Sequence, residues 1–130
     1  MSLLVRFSFV AGGVYGLVAT LLGALTAHRF PQDYEPEAIE TLETAVRFAF
    51  YHALLLISSG ILLGTELPLA RRLLAVAVGL VVAGTFLFSG SIFGLVLQGW
   101  TWLGPITPLG GGLLILGWLF VILSVLRSRA

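Results

Sequence analysis

Apolar residues run almost unbroken along four stretches of the chain, at roughly 7–27, 46–64, 73–97 and 108–126. Each is about 19–25 residues long, and a hydrocarbon core of about 30 Å takes about 20 residues at helical rise. Lipid offers backbone amides no hydrogen-bond partner, so each run predicts an α-helix. Short connections between the later runs make neighbouring helices antiparallel. The pattern predicts an all-α fold, a four-transmembrane-helix antiparallel bundle, as a single membrane domain over residues 1–130. A cleaved leader is not expected. The first run exceeds the about 7–15 apolar residues of a signal-peptide core, and no small-x-small site precedes His28.

The polar positions set the orientation. Arg6, Arg71, Arg72, Arg127 and Arg129 fall at one end of the four runs, whereas Arg29 and Arg47 fall at the other, beside five acidic residues. Basic residues in short loops stay cytoplasmic, which puts both termini inside. The outer connection "QGWTWLGPITP" carries Trp100 and Trp102 as interfacial aromatics, with Thr107 expected as the N-cap and Pro108 as the first helical residue. Residues 36–45 carry an apolar stripe at helical spacing and predict an amphipathic segment on the outer surface. Glu43 and Arg47, four apart with the acid first, are spaced as a helical ion pair.

Composition agrees with a membrane class. Hydrophobic residues make up 58% and charged ones 10% of the chain, against about 45–50% and about 25% in soluble domains. A net charge of +1 gives no surface for nucleic acid. The absence of cysteine removes disulfides, thiolate metal sites and thiol nucleophiles.

Candidate chemistry is confined to a few side chains. Five residues past Arg47, at about 7–8 Å further along a helix, lies His52. Ser89 and Ser91 reach a similar level on the third run, as do Thr20 and Thr26 on the first. The other half, such as residues 73–82 and 114–123, is almost wholly apolar. The expectation is an outer polar cluster of His28, Arg47, Tyr51, His52, Ser89, Ser91 and Thr107, at a shallow depth where hydroxyls and histidine join helices by hydrogen bonds. Two other uses of the same residues compete with structural bonding: an outer vestibule of a small transporter or channel around His52, and a metal site on His28, His52 and Glu43. No His-x-x-x-His or Glu-x-x-His spacing supports the second, so neither metal nor cofactor is expected. The "SGS" of residues 89–91 is not a nucleophile elbow, and the "GGG" of residues 110–112 lacks the lysine of a phosphate loop.

Sixteen glycines punctuate the chain, mostly within the runs. Gly12, Gly16, Gly23 and Ala27 form one small-residue row, Gly90 and Gly94 another, and Ala75, Gly79 and Ala83 a third. Such rows let helices approach closely, within one bundle or between copies. The expected partners are membrane lipids, with a homo-oligomer or a larger membrane complex as the protein partner.

Four motifs, "GALTAH" at 23–28, "TAVRFAFYHALLL" at 44–56, "LFSGSIFGL" at 87–95 and "LGPITPLGG" at 103–111, resemble the small bacterial membrane proteins classed as domain of unknown function 423. The eukaryotic transmembrane protein 256 group is similar. In the family the first motif reads Gly-Ala-Phe-Gly-Ala-His, so Leu25 and Thr26 depart from it while His28 is kept. The resemblance implies a four-helix inner-membrane protein and brings no activity, substrate or cofactor; the mitochondrial inner membrane is the alternative location through the eukaryotic group. The functional expectation is a non-catalytic accessory, assembly or lipid-contacting component.

Overall fold

A computed structural model describes residues 1–128 and leaves Arg129 outside the described residues. Four helices carry the chain: α1 (Leu3–His28), α2 (Pro36–Leu63), α3 (Arg71–Gln98) and α4 (Ile106–Leu126). Single 3₁₀ turns at Phe30–Gln32 and Thr101–Leu103 lie in the two connections at one end. All four helices are long and apolar enough to cross a membrane, with mean hydropathies of 1.7 to 2.4.

Local chemistry sets the helix ends. The Ser2 hydroxyl accepts from the Val5 amide at 3.2 Å and starts α1 several residues before the apolar run begins. Pro36, whose missing N–H costs nothing in a first turn, opens α2. Residues 36–45 are thus the first turns of one unbroken helix. Leu42 and Ala45 on it are fully buried, so this stripe packs inside the bundle instead of lying along a surface. Gly99 ends α3 in the left-handed region at φ 69°. The expected cap at Thr107 is not formed. Helix α4 begins at Ile106 after Pro105, and Thr107 sits within its first turn.

The helices pack in chain order, α1 on α2, α2 on α3 and α3 on α4. Their buried positions share a period near 3.5. In α1 they include Val5, Gly12, Ala19 and Thr26, seven apart. In α2, Leu42, Ala45, Ala49, His52, Leu56, Ser59 and Leu63 alternate by three and four. Helix α4 contributes Gly110, Leu114, Gly117 and Ser124. A 3.5-residue repeat keeps one seam facing the partner and is the signature of left-handed membrane bundles. At the end where α2 hands over to α3, the Arg71 guanidinium donates to the carbonyls of Leu63 and Thr65 and closes α2. The Ala70 amide bonds the Ser124 carbonyl at 2.9 Å and ties this connection to α4.

Glycine allows the closest approaches. A Cβ on Gly12 would lie 2.8 Å from the Ala53 carbonyl oxygen, and one on Gly110 would overlap the Phe88 backbone. The α3–α4 contact rests on Gly84, Gly110 and Gly117, none of which belongs to the rows picked out by spacing. The row Ala75, Gly79, Ala83 instead points away from the other helices, and Gly79 has no neighbour within 4 Å of a built Cβ.

Gly110→Ala should therefore force α3 and α4 apart and destabilise the fold by about 1–3 kcal/mol. Gly79→Ala should be neutral or slightly stabilising. Thermal unfolding of the detergent-solubilised protein measures both, and equal midpoints for the two variants would contradict this packing.

Candidate functional site

His52 faces inward on the α2 seam and is 4% exposed. Its Nδ1 donates to the Phe48 carbonyl one turn earlier at 2.6 Å. Its Nε2 accepts from the Trp118 indole Nε1 at 3.1 Å, with the two rings edge-on at 5.8 Å. A carbonyl can only accept and an indole N–H can only donate, so the ring proton sits on Nδ1 and the imidazole is neutral. Both ring nitrogens are engaged. Phe48 lies between this pair and α3, its ring 4.6 Å from that of Phe88.

The structure divides the expected cluster into separate pairs. Ser89 on α3 donates to the Ala45 carbonyl of α2 at 2.7 Å. Ser91 bonds the Phe88 carbonyl and the Thr107 hydroxyl, joining α3 to α4. Tyr51 is exposed with its ring against Phe48. None of these meets His52, whose partner Trp118 was outside the expected set. Thr20 and Thr26 bond carbonyls of their own helix.

Arg47 is exposed and unpaired with Glu43; the one ion pair among the described residues is Arg29–Asp33 at 3.6 Å. His28 and Glu43 are exposed too, and no three His, Asp or Glu side chains gather among the described residues. The His28, His52 and Glu43 arrangement is not assembled.

One further expectation changes. Buried hydroxyls are not confined to one half, because Ser8, Ser59 and Ser124 are buried toward the opposite end. Ser8 reaches the Leu56 carbonyl at 2.6 Å, and Tyr15 reaches across to Val82 of α3. His52 lies past the middle of α2, counted from Pro36. It lies eleven residues before Leu63, about 16 Å along the helix from that end. A donor at the same depth, the Trp118 indole, was the signal available in the sequence. Thr85 holds the one buried side-chain oxygen with no partner among the described residues.

Beside the His52–Trp118 bond runs a groove of about 860 Å³ between α2 and α4. Phe48 and Leu54 form its α2 wall, and Pro108, Gly112 and Ile115 its α4 wall. The lining is almost wholly carbon, and the groove opens sideways from the bundle. Tyr51 and His52 also line it, His52 with both ring nitrogens already bonded. The groove suits hydrocarbon.

Comparison with known proteins places this architecture in a family. Residues 22–111 match the family described as "Protein of unknown function (DUF423)". The "UPF0382 membrane protein SAB0533" of Staphylococcus aureus is 31% identical over 122 residues, covering 94% of this chain and 97% of that protein. The "UPF0382 membrane protein YwdK" of Bacillus subtilis is 30% identical, covering 91% and 94%. A Haemophilus influenzae "UPF0382 membrane protein" is 26% identical, covering 88% and 90%. No solved structure matches the chain. With four membrane-length helices in one bundle and relatives matched over nearly their whole length, this chain belongs to the DUF423 family of bacterial membrane proteins.

Proposed function

We propose that the protein is a non-catalytic, lipid-contacting component of the inner membrane, with both termini in the cytoplasm. The observation that carries this reading is the carbon-lined lateral groove beside a histidine whose two nitrogens are already bonded. Acid–base work or metal ligation needs a free nitrogen lone pair or an exchangeable proton facing a substrate. His52 offers neither. It acts instead as a bridge from α2 to α4. The other buried hydroxyls with partners, Ser8, Thr26, Ser89, Ser91 and Ser124, bond backbone carbonyls and so leave no polar row for an ion path. The outward row of Ala75, Gly79 and Ala83 leaves α3 room to pack against a second copy or a larger complex, in keeping with an accessory or assembly role.

Three measurements test this. The chain lacks cysteine, so single Gln32→Cys and Glu66→Cys variants report sidedness without background. An impermeant maleimide applied to intact cells should label Gln32→Cys and spare Glu66→Cys; the reverse would invert the orientation. In proteoliposomes the protein should carry no proton or cation current above that of empty vesicles, and a current abolished by His52→Ala would overturn the reading. Trp118→Phe and His52→Ala should each lower unfolding free energy by about 0.6–2 kcal/mol, with the double variant costing less than their sum. Additive costs would mean that the bond contributes nothing.

A further inference from the structure

We propose that the α2–α4 groove binds one acyl chain of an anionic phospholipid whose phosphate pairs with Arg47, an assignment that rests on the lipid-contacting reading above. The dimensions come first. From Pro108 to Trp118 the α4 wall runs about 15 Å at helical rise, half of a roughly 30 Å hydrocarbon core. The groove begins near the end with the 29–35 connection and stops at mid-depth, where the Trp118 indole crosses to His52. Its length matches one leaflet. A chain descending from a headgroup on that side would fill it and end against the aromatic floor.

The occupant's other end follows from Arg47. This residue lies one helical turn before Tyr51, which lines the groove, on the same side of α2. It lies sixteen residues, about 24 Å, from Leu63 within the membrane-length helix α2, toward the 29–35 connection. The guanidinium has to extend toward the interface to escape hydrocarbon. The arginine hydrogen bonds among the described residues belong to Arg29 and Arg71, and Glu43, one turn nearer the connection, makes no ion pair with Arg47. Arg47 itself lines a small depression between α1 and α2 with Gly23, Thr26 and Glu43, and its five N–H donors stand without a protein hydrogen-bond acceptor one turn from the chain-sized groove. A phosphate matches that fork in charge and bidentate geometry.

A second copy of the protein fits less well. A helix is about 10–12 Å across with side chains and crosses the full core. The groove closes at mid-depth, so a helix seated in it would meet Trp118 and lose contact below.

The test is native mass spectrometry of the full chain in detergent, titrated with phosphatidylglycerol and, separately, with phosphatidylcholine. The wild type should hold one phosphatidylglycerol. Arg47→Gln should weaken that binding about tenfold or more, as expected for loss of a charge-assisted contact, with unchanged thermal stability in lipid-free detergent. Gly112→Leu is the second variant. A Cβ there meets nothing within 4 Å, so the added side chain can enter the groove without disturbing the bundle, and it should abolish retention of both lipids. Phosphatidylglycerol held equally by wild type and Arg47→Gln overturns the proposal. So does lipid that survives Gly112→Leu, although the broader lipid-contacting reading would stand in that case. A dimer dissolved by Gly112→Leu would show a second copy in the groove and also overturn it.

Discussion

The bond from the Trp118 indole to His52 sets the spacing of the bundle. Helices α3 and α4 meet backbone to backbone through Gly84, Gly110 and Gly117. Helices α1 and α2 meet almost as closely through Gly12. Between α2 and α4 there is no such approach. They are joined by side chains, with an indole and an imidazole spanning the distance that glycine closes elsewhere. Two large rings meeting end to end hold the helices near each other while keeping them apart, and the groove is the space above the rings. In hydrocarbon neither ring N–H has water to return to, so the bond is retained even though each such interaction is individually modest.

The packing seam obeys the same rule. A 3.5-residue repeat presents one face of each helix to its neighbour along its whole length, and small residues on that face determine how near the neighbour comes. On α2 the seam includes Ala45, Ala49 and Ala53 together with His52 and Ser59. Polar side chains can occupy seam positions because carbonyls are within reach: Ser89 finds that of Ala45, Ser8 that of Leu56 and Tyr15 that of Val82. Each bond crosses between helices at the cost of one shared acceptor, and a carbonyl oxygen has a lone pair to spare.

Four spans and an all-α bundle were legible because length and hydropathy alone determine what can cross a bilayer. The family was legible from motifs spread over α1 to α4. Which polar residues meet was harder to read, because a shared level along neighbouring helices does not say which faces point at one another: Ser89, Ser91 and Thr107 find partners other than His52. Trp118 is hidden in the sequence because an aromatic residue in an apolar run reads as part of the run, although its indole N–H is a donor that reaches His52. The glycines that matter most were obscured by context: Gly110 lies in a triplet weighed as a phosphate loop, and Gly84 and Gly117 have no partner at the four-residue spacing that was sought. Spacing four apart identifies small faces. It does not say which face meets a neighbour, as the outward row through Gly79 demonstrates.

Hydrogen-bond accounting explains why one arginine is more informative here than the hydroxyls. A serine or threonine in a membrane helix can satisfy itself on a carbonyl three or four residues back, as Thr20, Thr26, Thr41, Thr44, Ser58 and Ser124 all do. Its presence in a span therefore requires nothing from outside. A guanidinium cannot do this. Its five donors and full charge exceed what the spare lone pairs of nearby carbonyls on its own helix can accept, because its long side chain carries the guanidinium away from the backbone. Arg71 resolves the problem at a helix end, where the carbonyls of Leu63 and Thr65 lack amide partners. Arg47 stands in the middle of a helix, with no such ends near it and no acid paired to it. Its acceptors have to come from the surroundings, and in a bilayer the acceptors at that level are headgroup oxygens.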